Sequence, residues 1–210
     1  MRPDTDQERF WAGDFGDHLI DRTDIPVEID DNLRLFKRII SRTGQIRSII
    51  EFGPYIGLNL RALKTLIPEA QLSAVEINDT AIKYLKDWGQ AKIHRQSLFD
   101  FSSGESFDLV LTKKFLIHIH PKQIGEAYRT IYRYSRQYIC ICEYFSPNLL
   151  EVNYRGNQNQ LFKRDFAADM MDLFSDIRLV DYGFIYGRDR AYRGVSLNNM
   201  SWFLLEKGVS

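Results

Sequence analysis

Two acids and two glycines at the ends of apolar runs carry the first chemical signal in this chain. The run Ser48-Ile-Ile-Glu-Phe-Gly53 ends in Glu51 and Gly53, and Gly57 follows where a helical segment begins. A second apolar run, Ala74-Val-Glu-Ile-Asn78, carries Glu76, 23 positions after Gly53. This is the layout of a nucleoside-cofactor loop on a parallel sheet. Gly53 allows a tight turn out of the strand, and Gly57 allows close passage of the backbone and a packed helix start. Glu51 is placed to anchor the loop or an amino group, and Glu76 offers a fork of acceptor oxygens that suits both hydroxyls of a ribose. The middle glycine of a dinucleotide loop is absent, because Pro54-Tyr55 stands there. A side chain at Tyr55 argues against a pyrophosphate at that point. Asn59, Ile77 and the segment Ser97-Leu98-Phe99 complete the candidate cofactor wall, with Leu98 or Phe99 against a base. The competing reading of Leu98 and Phe99 is plain core.

Ligands of such sheets sit beyond the carboxyl ends of the strands, so residues just after each strand are the next candidates. Thr112 and Lys113 end one strand and are expected to line the cofactor pocket. His118 follows them as a candidate general base, since its intrinsic pKa lies near neutrality; the alternative is a loop-orienting hydrogen bond. His120, before Pro121, reads as the flank of a helix start. Glu143 and Tyr144 end the next strand, as a candidate proton acceptor and a pocket wall. Arg155, Lys163 and Arg164 flank the polar loop Gly156-Asn-Gln-Asn-Gln160 and are candidates for holding an anionic substrate. Arg188, Arg190 and Arg193, between the last two strands, read either as solvated charges or as a rim whose arginine fork suits a carboxylate or phosphate. Phe10, Trp11 and Phe15 precede the fold proper, with Trp11 and Phe15 on one helical face. They read either as core packing or as a lid over cofactor and substrate.

Hydrophobic period and punctuation supply the elements that must position these groups. Helices are expected over 30–43, 58–66, 80–88, 121–135 and 163–174, the last with Asp165 as an N-cap. Strands are expected over 47–52, 72–75, 91–94, 107–112, 138–142, 178–186 and 201–206. Strand and helix alternate up to residue 142, which implies a parallel sheet covered on both faces. No helix separates the last two strands, so they are expected to pair antiparallel. The fold class is therefore α/β: a Rossmann-like, seven-stranded, mostly parallel sheet with an antiparallel C-terminal strand. The chain divides into a helical lid over 1–45, a cofactor-binding core over 46–145 and a substrate-facing tail over 146–210.

Composition excludes several function classes. The 210 residues suit one domain, and 28 basic residues balance 28 acidic ones. No basic excess points to a nucleic-acid partner, and no apolar stretch or signal-like leader points to a membrane. A cytoplasmic location is expected. Cys140 and Cys142 lie two apart on a strand, too close for good disulfide geometry, and no metal site is expected.

Over its full length the chain resembles class I S-adenosylmethionine-dependent methyltransferases. It more narrowly resembles the pseudaminic acid biosynthesis-associated methylases. The strings that carry the closer likeness are Phe10-Trp-Ala-Gly-Asp-Phe-Gly16, 51–63, Leu111-Thr-Lys-Lys-Phe-Leu-Ile-His-Ile-His-Pro121 and Glu143-Tyr144. Tyr154-Arg-Gly156, Leu161-Phe-Lys-Arg-Asp-Phe-Ala167, 180–184 and 202–207 continue it. The resemblance implies an enzyme that takes S-adenosylmethionine, releases S-adenosylhomocysteine and methylates a small acceptor in a sugar pathway. An anionic sugar, nucleotide sugar or amino-acid derivative is expected from the cations of the tail. A nicotinamide-dependent oxidoreductase and a non-catalytic cofactor-binding protein are the alternatives.

Overall fold

The computed structural model describes residues 5–20, 23–194, 197 and 199–208; the polar start over 1–4 lies outside them. In chain order the elements are α1 (Asp6–Ala12), α2 (Asp14–Ile20), α3 (Ile25–Ile40), β1 (Ser48–Phe52), α4 (Leu58–Leu66), β2 (Gln71–Val75), α5 (Asp79–Trp88), β3 (Lys92–His94) and β4 (Phe107–Lys113). A 3₁₀ turn (Leu116–His118) leads to α6 (Ile124–Tyr134) and β5 (Ser135–Glu143). A short hairpin of β6 (Leu150–Glu151) and β7 (Phe162–Lys163) precedes α7 (Phe166–Leu173), β8 (Ile177–Ile185) and β9 (Met200–Lys207).

The main sheet has the order β3-β2-β1-β4-β5-β9-β8, and only β9 runs against the rest. This is the expected Rossmann-like sheet. Its alternation sorts side chains into two cores. Ile50, Phe52 and Val110 face α6 and α7, whereas Ile49, Leu109 and Leu111 face α3 and α4. Cys140 and Cys142 share the second core as free thiols, with sulfurs 3.6 Å apart.

Three boundaries differ from expectation for local reasons. α3 starts five residues before the expected Asp30, because the Asp24 carboxylate accepts from Val27 N (3.3 Å) and Pro26 fits a first helical turn. The expected helix over 163–174 begins only at Phe166. Asp165 caps it by accepting from Ala168 N (2.9 Å), and Lys163 belongs to β7. The N-terminal aromatic segment is two helices, broken where Gly13 is extended (φ −104°, ψ −160°). Trp11 and Phe15 therefore do not share one helical face; their rings meet edge-on at 5.5 Å across the corner. Among the described residues no helix is long and apolar enough to cross a membrane.

Candidate functional site

Local stereochemistry builds the loop after β1. Gly53 (φ +68°) and Gly57 (φ +81°) are left-handed, and Tyr55 between them has φ +56°. A Cβ on Gly53 would lie 2.2 Å from the Phe115 ring, and one on Gly57 would lie 2.6 Å from Leu85. A side chain at either position is therefore disfavoured by space and conformation together. The Glu76 carboxylate clasps this loop to the next one. It accepts from the backbone N–H of Tyr55 (2.9 Å), Ile77 (2.8 Å) and Asn78 (2.9 Å). Burial nonetheless pushes its carboxyl above the usual range, against those three amides. A carboxylate has about four acceptor sites, so roughly one remains for a ligand hydroxyl. The fork expected to take two ribose hydroxyls is already largely occupied by backbone.

Glu51 is wholly buried and accepts from Asn59 Nδ2 at 2.5 Å, while its Oε2 has no partner. Burial pushes this carboxyl up to about 8, against the lowering effect of Asn59 and Lys113. Asn59 faces the cavity; Glu51 stands behind it.

A cavity of about 690 Å³ opens over the carboxyl ends of β1, β2 and β4. Gly53, Tyr55, Asn59, Glu76, Ile77 and Phe99 line one end. A side chamber of about 50 Å³ branches from it between Phe52, Ile77, Ser97, Leu98 and Phe99. Ser97 Oγ shapes the chamber by accepting from Phe99 N (3.0 Å). Leu98 belongs to the core and also walls the chamber.

The other end is cationic and aromatic. Lys113, Lys114, Arg155 and Arg193 line it with Trp11, His118, His120 and Tyr154. The His118 ring lies 4.3 Å from Trp11 and 5.3 Å from Tyr154. Its Nδ1 is 2.6 Å from the Gln160 carbonyl, which can only accept, so Nδ1 carries the proton and Nε2 carries the lone pair. Burial holds the ring well down, at about 4, so it is neutral across the physiological range. Lys114 stands at φ +51°, with Nζ 5.8 Å from the Tyr144 ring centre. Burial first, and then repulsion by Lys113, lower its ammonium to about 7.

Helices α1 and α2 cover this end. Asn78 Nδ2 donates to Trp11 O (3.1 Å) and Asp17 Oδ1 (2.9 Å), and Gln7 Nε2 donates to Asn159 O (2.8 Å). On the opposite side the buried Asp31 carboxylate accepts from Arg193 N and Gly194 N, which holds the loop between β8 and β9 against α3.

Several expected site residues lie elsewhere. Glu143 does not line the cavity. Its Oε1 accepts from Phe115 N (3.0 Å) and Leu116 N (2.9 Å), so it caps the turn that carries His118. Burial raises this carboxyl to about 7. Tyr144 sits behind Lys114 and also carries Lys163 Nζ at 5.1 Å. Lys163 is thereby turned from the cavity. Arg164 pairs with Asp169 at 2.5 Å, whose other partner is the Tyr128 hydroxyl (2.7 Å). Phe15 stacks on Phe10 at 4.1 Å and backs Tyr154 without reaching the cavity wall. Thr112 is fully buried and walls neither the cavity nor the chamber. Arg193 is exposed at the rim and lines the cavity, while Arg188 and Arg190 do not. Lys114, Asn32 and Tyr154 are wall residues that sequence reasoning passed over. Lys114 stood next to the chosen Lys113, and only the backbone turn reveals it. Among the described residues no three His, Cys, Asp or Glu side chains are grouped to hold a metal ion.

No family model and no curated protein matches the chain. Solved structures do match over nearly the whole length. The N-methyltransferase NodS from Bradyrhizobium japonicum WM9, bound to S-adenosylhomocysteine, is 16% identical with a TM-score of 0.66, covering 96% of both chains. The Burkholderia thailandensis 1,6-didemethyltoxoflavin-N1-methyltransferase, holding its acceptor and S-adenosylhomocysteine, is 14% identical with a TM-score of 0.72. That match covers 100% of this chain and 93% of the other. The magnesium protoporphyrin IX methyltransferase ChlM from Synechocystis PCC 6803, with bound S-adenosylmethionine, is 12% identical with a TM-score of 0.67, covering 99% and 100%. At such identities the likeness establishes the fold.

Proposed function

We propose that this protein is an S-adenosylmethionine-dependent methyltransferase acting on a small anionic acceptor. The observation that carries the reading is the two-ended cavity. One end has a glycine loop clasped by the Glu76 carboxylate, which keeps roughly one acceptor site for a ribose hydroxyl, and a small, mainly apolar side chamber. The other end has cations and aromatic rings. Methyltransferases with bound cofactor share the fold. The orphaned buried Asn59 Oδ1 at the loop end suits the ammonium of this cofactor. Tyr55 in the loop suits a cofactor without a pyrophosphate.

When bound, the cofactor supplies a sulfonium-activated methyl group. The chain's own residues hold the acceptor in line and remove its proton. Trp11 and Tyr154 give the acceptor a flat apolar wall, and Arg155 and Arg193 at the rim meet its negative charge. His118, neutral with its lone pair on Nε2, accepts a hydrogen bond from a polar X–H beside the nucleophile and so orients the acceptor. A conjugate acid near 4 makes His118 a weak base. Lys114, lowered to about 7, matches neutral conditions better as the proton acceptor. The nucleophile loses H⁺ to Lys114 and gains CH₃. Positioning supplies most of the acceleration, since a nucleophile held in line needs little more than a dry site. Glu143 acts through the turn it caps and not on the acceptor. The resemblance over 10–16, 111–121 and 154–167 supports an anionic sugar or sugar-derived acceptor.

Isothermal calorimetry with S-adenosylhomocysteine tests the reading. A saturable one-to-one binding isotherm is expected. No heat with either that product or S-adenosylmethionine, from a protein with a sharp melting transition, overturns it.

A further inference from the structure

The seam between α3 and α4 ends at the cavity on polar atoms that nothing among the described residues satisfies. α3 descends from the carboxyl edge of the sheet before β1, and α4 descends from it after β1, so the two helices run side by side. Leu35, Phe36 and Ile39 of α3 share one core with Leu60 and Leu63 of α4. About one turn above Phe36 stands Asn32, and about one turn above Leu63 stands Asn59. Apolar residues there would extend the seam.

Asn32 is 1% exposed and lines the cavity, and among the described residues neither its Oδ1 nor its Nδ2 has a partner. Asn59 donates Nδ2 to Glu51 and leaves Oδ1 without one. Buried amides are normally satisfied, and each unmet atom keeps its desolvation cost. The wall thus matches a ligand that brings donors for two amide oxygens and an acceptor for one amide nitrogen. The two amide oxygens favour a group rich in donors, and Lys113 on the same cavity favours an anion.

We propose that Asn32 and Asn59 receive the α-amino-acid end of the methyl donor, with Asn32 as the residue that selects for it. Asn32 Oδ1 and Asn59 Oδ1 accept from the ammonium, and Asn32 Nδ2 donates to the carboxylate. An ammonium offers three N–H donors and a carboxylate only acceptors, which matches this wall in sign and number. The assignment rests on the methyltransferase reading. It adds a grip from a helix that precedes the first strand, remote from the glycine loop.

The test compares two ligands by calorimetry: S-adenosylhomocysteine, and 5′-methylthioadenosine, which lacks the amino-acid end. In Asn32→Leu the first is expected to weaken about tenfold or more, the scale of hydrogen bonds to charged groups, and the second by less than about twofold. Asn32→Ala repeats the contrast if the leucine variant does not fold. The melting temperature of the free Asn32→Leu protein is expected to hold or rise, because unmet polar atoms are removed. Equal weakening of both ligands overturns the assignment, as does no weakening of either. A wild-type protein that binds neither ligand overturns the methyltransferase reading, and this assignment with it.

Discussion

Glu143→Gln separates a proton-transfer role from a capping role. In the fold, the Glu143 carboxyl accepts two amides of the 115–118 turn through Oε1, while Oε2 is buried without a partner. Burial outweighs the amides and raises the group from 4.5 to about 7. The folded state therefore holds a proton that the unfolded state has released between those two values. This contribution to stability is complete below about 4.5 and is lost as pH rises through about 7. A displacement of about 2.5 units corresponds to an upper bound of about 3 kcal/mol. Other groups titrate in the same window. Glu51 is raised in the same sense, whereas His118, lowered to about 4, adds stability as pH rises from about 4 to 6.5. The difference between wild type and Glu143→Gln cancels them. Urea unfolding at intervals from pH 5 to 8.5 is expected to show the glutamine variant gaining on wild type by up to about 3 kcal/mol across the series. The variant should keep S-adenosylhomocysteine affinity within about twofold, since glutamine still offers an oxygen to Phe115 N and Leu116 N. A pH-independent difference in stability would refute the burial argument. Lost turnover with cofactor binding and the turn intact would return Glu143 to the chemistry.

Further outcomes follow from the same geometry. Lys114, followed by NMR after reductive ¹³C-methylation, should titrate near pH 7, and Lys114→Met should remove that resonance; titration near 10 would refute its burial. Gly16→Ala places a Cβ 2.1 Å from Trp11 O and 2.9 Å from Asn78 Nδ2, so limited proteolysis within 5–20 should accelerate while the rest of the chain stays protected. An unchanged digestion pattern would mean that α1 and α2 tolerate the clash. Once an acceptor is found, Arg155→Ala should raise its Michaelis constant several-fold more than that of the cofactor, with Arg164→Ala acting on stability alone because Asp169 holds that side chain. Equal effects of Arg155→Ala on both constants would remove Arg155 from acceptor binding.

The parts of this molecule that depend on near neighbours were legible in the chain. Short apolar runs marked β1, β2, β4 and β5, and the glycines marked the loop, since φ of +68° and +81° against packed side chains disfavours any side chain there. The alternation of strand and helix then determined a parallel sheet, and the absence of a helix between β8 and β9 determined the antiparallel closure. What each polar side chain does at the sheet edge was decided only in three dimensions. Glu143 and His118 end adjacent strands, and sequence treats them alike. The tertiary structure turns the first beneath a turn 27 or 28 residues away and aims the second into the cavity. Arg155 and Arg164 look equivalent as cations, yet α7 brings Asp169 to one and nothing comparable to the other. Asn32 sits in an amphipathic helix like any surface amide, and only the seam with α4 buries it unpaired. Backbone preference is a property of neighbours along the chain; desolvation and pairing belong to neighbours in space, and those settle which acid caps, which lysine is buried and which amide is left unpaired.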